Sequence, residues 1–139
     1  MQKGFTLLEL LITIAIIAVA TTAIALAMPS GDVRQAEQEA ARLQWVVSQA
    51  HDTAQRYRKT LVIVRMPKGN GYQVLNVPRA LKEESWAKQY ECNCHLSRLD
   101  TNNPAEPLRI ESDALLLHFQ LRIDVNDIQR TIEYPNRAV

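Results

Sequence analysis

From Phe5 to Met28 the chain carries a single charged side chain, Glu9, in 24 residues of otherwise apolar or small sequence. At about 1.5 Å per residue such a helix is roughly 36 Å long, enough to cross the ~30 Å hydrocarbon core of a bilayer. A helix apolar on every side is stable only where its whole surface is covered, by a large core or by lipid. With 139 residues in all, the chain has one small domain and no large core to cover it. The run therefore predicts a membrane segment, and Lys3 before it favours a cytoplasmic N-terminal end.

Charge is distributed accordingly. The whole chain has 16 basic and 15 acidic residues, and removing Lys3 and Glu9 leaves 15 and 14, all from Asp32 onward. A near-neutral balance is not that of a dedicated nucleic-acid binder, which usually shows a strong basic excess. Two cysteines, Cys92 and Cys94, are too few for a disulfide scaffold, and the one residue between them permits a bridge only with strain.

Two ordinary explanations of the first thirty residues compete. A secretory signal peptide would have a shorter apolar core, although Ala25-Leu26-Ala27 could pass for its cleavage site. A simple signal anchor would need no carboxylate. Neither accounts for Glu9, which costs about 2.5–3.5 kcal/mol in hydrocarbon on insertion scales and so marks a function that needs a partner.

The run Gly4-Phe5-Thr6-Leu7-Leu8-Glu9, behind the basic leader Met1-Gln2-Lys3, resembles the prepilin cleavage motif of type IV pilins and type II secretion pseudopilins. The resemblance implies cleavage between Gly4 and Phe5 by a membrane prepilin peptidase and N-methylation of the new Phe5 amine. It also implies that Glu9 pairs with the N-terminal amine of a neighbouring subunit in a filament. The expected organisation is a leader at 1–4, a transmembrane helix at 5–28 and a periplasmic globular domain at 29–139, single-pass in the inner membrane. Pairing an amine with Glu9 lowers the cost of holding either charge in lipid. Between subunits, the same pair would set the axial register of a bundle of helices.

Beyond the run, Pro29-Ser30-Gly31 predicts a kink or short break. Ala36, Ala40, Leu43, Val47, Ala50 and Ala54 then recur at spacings of four and three, which predicts an amphipathic helix over 32–58 packed on a sheet. Asp32, Glu37 and Glu39 early, with Arg56, Arg58 and Lys59 late, suit its dipole. Thr60–Met66 and Tyr72–Val77, separated by Pro67-Lys68-Gly69-Asn70-Gly71, read as a β-hairpin. Residues 78–106 read mostly as loop, Leu108 and Ile110 as a short strand, and 114–125 as the clearest strand. On that strand Leu115, Leu117, Phe119, Leu121, Ile123 and Val125 share one face. Asn126-Asp127 is a turn and Gln129–Tyr134 a last strand.

The predicted class is α+β, a long N-terminal helix whose second half packs on an antiparallel β-sheet. That is also the pilin architecture. The segment Ala40–Ala54, followed by a strand at Leu61, is similar to the H-type minor pseudopilins and their FimT-like pilin relatives. The C-terminus Tyr134-Pro135-Asn136-Arg137-Ala138-Val139 departs from that subfamily in having no Gly.

Little of the remaining sequence points to chemistry. His51, His95 and His118 are dispersed and read as surface or boundary residues. Cys92, Cys94 and His95 lack a fourth ligand, so no metal is assigned, nor any cofactor or catalytic residue. Trp45 and Trp86 read as packing residues, and the Arg56–Lys59 cluster as helix C-terminal charge. The resemblance implies a minor pseudopilin of a type II secretion system, with a tip or priming role in a periplasmic pseudopilus. The implied partners are prepilin peptidase, other minor and major pseudopilins, inner-membrane lipid and secreted cargo. The competing class is a minor type IV pilin in pilus assembly or DNA uptake, for which Arg122, Arg130 and Arg137 are the only C-terminal candidates; DNA is not an expected partner. No feature suggests an enzyme.

Overall fold

The computed structural model describes residues 5–67, 70–113 and 118–134, and the chain divides into two compact units, Met1–Gly31 and Asp32–Val139. Gly4, and with it the expected cleavage junction's first residue, lies outside the described residues, as do Leu115, Leu117 and Arg137.

In the first unit, Leu7–Ala27 form one helix, α1. Thr6 caps it in an extended conformation, and its Oγ1 accepts the Glu9 N–H at 3.3 Å. None of its residues is buried. Among the described residues it is the one helix long and apolar enough to cross a membrane. Its threonine hydroxyls are satisfied within the helix: Thr13 donates to the Glu9 carbonyl at 2.7 Å, Thr21 to Ile17 at 2.9 Å and Thr22 to Ala18 at 2.8 Å. Such back-bonding is what lets a hydroxyl sit where no water can reach it. The helix stops at Ala27, with Met28 extended, and helical structure resumes at Gly31. The predicted break at Pro29 is therefore present.

The next helix, α2 (Gly31–Tyr57), matches the predicted amphipathic helix to within a residue at each end. Ala36, Leu43, Val47, Ala50 and Ala54 are fully buried, Ala40 is partly buried, and Val46 and Thr53 widen the stripe. Arg58 takes a left-handed φ of 50°, and the Lys59 N–H closes back on the Ala54 carbonyl at 3.2 Å. This is a Schellman stop made without glycine.

Among the described residues, six strands follow: β1 (Leu61–Arg65), β2 (Tyr72–Leu75), β3 (Cys94–Arg98), β4 (Leu108–Ile110), β5 (Phe119–Val125) and β6 (Ile128–Tyr134). They form two antiparallel three-stranded sheets rather than one, in the orders β2-β1-β4 and β3-β5-β6. The predicted hairpin is the β1/β2 pair. The stretch 78–106, whose sequence predicts mostly loop, contains β3, which pairs with β5 through Leu96 opposite Ile123. Its sequence Cys-His-Leu-Ser-Arg has only one large apolar residue, so the period-2 signal is nearly silent.

The predicted odd-numbered face of β5 is buried at Phe119, Leu121, Ile123 and Val125. Asn126 and Asp127, both at positive φ, make the two-residue turn into β6. One core unites the α2 stripe with both sheets. Polar contacts then fix the β5–β6 hairpin to the helix: Asn126 Nδ2 donates to Asp32 Oδ1 at 3.1 Å, and Arg130 pairs with Glu37 at 3.6 Å.

Candidate assembly helix and its first turn

Thr6 as N-cap makes Leu7 the first helical residue and Glu9 the third. A Thr at the cap with Glu three residues on is the capping-box spacing. Here the Thr6 half of the box is formed, and the Glu9 N–H also reaches the Thr6 carbonyl at 3.0 Å. The arrangement occupies the Glu9 N–H and leaves the Glu9 carboxylate on the exposed helix surface, at the positive end of the dipole. Phe5 is 76% exposed beside it. An amine at residue 5 and a carboxylate at residue 9 stand one helical turn apart.

The site thus consists of an apolar surface presenting one negative charge near its N-terminal end. Chemically it can pair with one cation and bury apolar area against another helix or lipid. The capping role of Thr6 was missed from sequence, although the Thr-x-x-Glu spacing signals it.

The other residues singled out from sequence fall apart in space or find ordinary partners. His51 stands beside the α2 stripe, its Nδ1 3.3 Å from the Tyr134 hydroxyl with the two rings edge to face. Arg65 donates to His95 Nε2 at 2.8 Å, and His118 is exposed just before β5. Trp86 is a core residue. Trp45 is 42% exposed, so packing alone does not describe it. Arg122 lies 3.9 Å from Asp124, and Arg56, Arg58 and Lys59 are exposed at the end of α2.

A second polar cluster went unseen in sequence because its members are distant in the chain. The Tyr90 hydroxyl donates to Glu39 Oε1 at 2.9 Å, and the Arg42 guanidinium stacks 3.9 Å from the Tyr90 ring centroid. Burial, then the bond to Glu39, pushes the Tyr90 hydroxyl above its ordinary pKa; burial does the same to Tyr72. Cys92 and Cys94, joined by a disulfide, lie against Glu39.

Residues 1–25 match the family model described as the prokaryotic N-terminal methylation motif. The match covers the basic leader, the Gly4-Phe5 junction and most of α1, and it supports a type IV pilin-like protein, a structural rather than enzymatic class. No curated protein and no solved structure matches the chain.

Proposed function

We propose that this chain is a minor pseudopilin of a type II secretion system. Cut between Gly4 and Phe5 and methylated on Phe5, it assembles through α1 into a periplasmic pseudopilus, in a tip or priming role. The observation that carries the reading is the single carboxylate of Glu9 in the first turn of a fully exposed apolar helix, inside the matched methylation motif. Such a charge is tolerated in lipid only with a partner. The N-terminal amine of the adjacent subunit would be that partner, and helix–helix packing would supply the rest. The proposed topology is single-pass, with residues 29–139 in the periplasm.

A minor type IV pilin would use the same motif. The favoured role in secretion rests on the similarity to H-type minor pseudopilins and on the near-neutral charge after Asp32. Cleavage and assembly are tested together. Intact mass of the membrane-extracted chain should correspond to Phe5 as first residue plus one methyl group. Glu9→Ala should still insert, because it removes a charge from hydrocarbon, but should lose cross-links to partner pseudopilins. A mature start near Pro29 would overturn the pilin-like reading. Unchanged cross-linking in Glu9→Ala would overturn the register role alone.

A further inference from the structure

We propose that Cys92, Cys94 and Glu39 form a redox-gated site for a thiophilic divalent cation, closed while the cysteines are bridged and opened by their reduction. The inference does not depend on the assembly reading.

The chain brings the three residues together from separate elements. Cys94 begins β3 and is 4% exposed; Cys92, two residues earlier, is half-buried. Glu39 comes from the α2 face above them. One sulfur from each cysteine and one Glu39 carboxylate oxygen lie within 4.8 Å of one another. A disulfide offers a carboxylate no positive charge and no hydrogen-bond donor. Yet Glu39 is held here, with one oxygen accepting from Tyr90 and the other, Oε2, buried without a partner. A buried carboxylate oxygen left unsatisfied is costly, and a cation would satisfy it.

The donor set selects the ion. Two thiolates and one carboxylate suit a Zn²⁺-like cation and not a hard one such as Mg²⁺ or Ca²⁺. At metal–ligand distances of about 2.0–2.3 Å, ligand atoms of a tetrahedral ion stand roughly 3.5–4 Å apart. The two sulfurs, bonded to each other in the disulfide, separate to that spacing only after reduction, and the Glu39 oxygen already lies within 4.8 Å of both. Two thiolates and a carboxylate carry three negative charges against two positive. Arg42, one turn along α2 from Glu39 and stacked on Tyr90, supplies the balancing charge. His95 is not required, since Arg65 occupies its Nε2.

The gate is thiol–disulfide exchange. A dithiol reductant transfers two electrons and two protons to the Cys92 and Cys94 sulfurs and is itself oxidised to a disulfide. The sulfur–sulfur bond breaks and two thiols form. Binding of the cation then releases both thiol protons to solvent as two metal–sulfur bonds form. Exchange with a small-molecule disulfide, itself reduced to two thiols as it takes up the two electrons and two protons, re-forms the Cys92–Cys94 bond, removes both sulfur ligands and releases the cation from Glu39.

The test uses the full chain in detergent and Cd²⁺ as the probe. The protein is reduced with dithiothreitol, freed of it by gel filtration without oxygen, and titrated. The expected result is a sulfur-to-metal charge-transfer band that saturates at one Cd²⁺ per chain and is absent before reduction. Reduced Glu39→Gln should keep the band but bind on the order of tenfold more weakly or worse. Cys92→Ser should lose most of it. Cys92 is partly buried against the core, and unchanged Trp86 fluorescence checks that each variant is folded. No band in the reduced chain, equal binding before reduction, or unaltered affinity in folded Glu39→Gln would each overturn the proposal.

Discussion

A β-carbon at position 71 would stand 2.0 Å from the Tyr90 carbonyl oxygen, where Gly71 sits at a φ of 120°. Both the space and the backbone conformation are open only to glycine. The close approach serves the pair of hydrogen bonds between Tyr72 and Tyr90, each 3.0 Å, that pins the long 78–93 segment onto the edge of β2. Gly71→Ala is expected to cost at least about 1–3 kcal/mol from backbone strain alone and to free that segment to faster amide exchange. An unchanged exchange rate at Tyr90 would refute the pinning role. Sequence reading assigned Gly71 to turn chemistry, which is correct but incomplete: the carbonyl it accommodates is nineteen residues away in the chain.

Also at this scale, Arg98 holds Asp100 through two hydrogen bonds, and that contact is the main reason the Asp100 carboxyl titrates below the usual range. A folded-state pKa below the unfolded value of about 3.9 adds stability above that pH, and the contribution fades as pH falls through the folded value. The pair is only partly shielded from solvent, so Asp100→Asn should cost no more than about 1 kcal/mol at pH 7. The difference from the unmodified chain should vanish in strong acid. A gap in melting temperature that persisted below pH 3 would show that the effect is not electrostatic.

Among the elements, β5 is the one whose structure was most nearly written in its sequence. It is the central strand of its sheet, and four alternating apolar residues are buried where the period-2 rule places them. Phe119, 4% exposed, stacks on Tyr134 with ring centroids 5.5 Å apart. Phe119→Ala should therefore cost about 3–5 kcal/mol, a large share of a small domain's 5–15 kcal/mol. Thermal unfolding of the detergent-solubilised chain, followed through the buried Trp86, measures it. A midpoint left unmoved would mean that this face is not the core.

By contrast β3 was illegible for a physical reason. An edge strand with Leu96 as its sole large apolar residue is held by its ladder to β5, and pairing with a distant partner leaves no local pattern. The division into two sheets was hidden similarly. It depends on β4 returning to β1 and β3 to β5 across long connections, a matter of topology that composition does not encode. The Glu39–Cys92–Cys94 cluster joins an helix to a strand start more than fifty residues on, so only the CxC half of it could be read.

At the scale of the whole molecule, the two readings of the resemblance differ in what the second unit should bind. A DNA-capturing pilin needs cations grouped to neutralise phosphates, which supply nearly all non-specific affinity. Here 15 basic residues meet 14 acidic ones, and the fold pairs some of them: Arg130 with Glu37 at 3.6 Å, Arg122 with Asp124 at 3.9 Å and Lys88 with Glu83 at 3.1 Å. The exposed group Arg56, Arg58 and Lys59 remains the strongest candidate contact. Three such contacts would give a salt slope of only about −3, and so few neutralised phosphates leave binding weak at about 150 mM salt. Gel-shift titration with duplex DNA at that salt should accordingly show no retardation at micromolar protein. Micromolar binding that weakens with added salt, and that is lost when Arg56, Arg58 and Lys59 become alanine, would transfer the assignment to a minor pilin of DNA uptake. Retardation that survived those substitutions would place the contact on another surface and refute the charge-pairing argument itself.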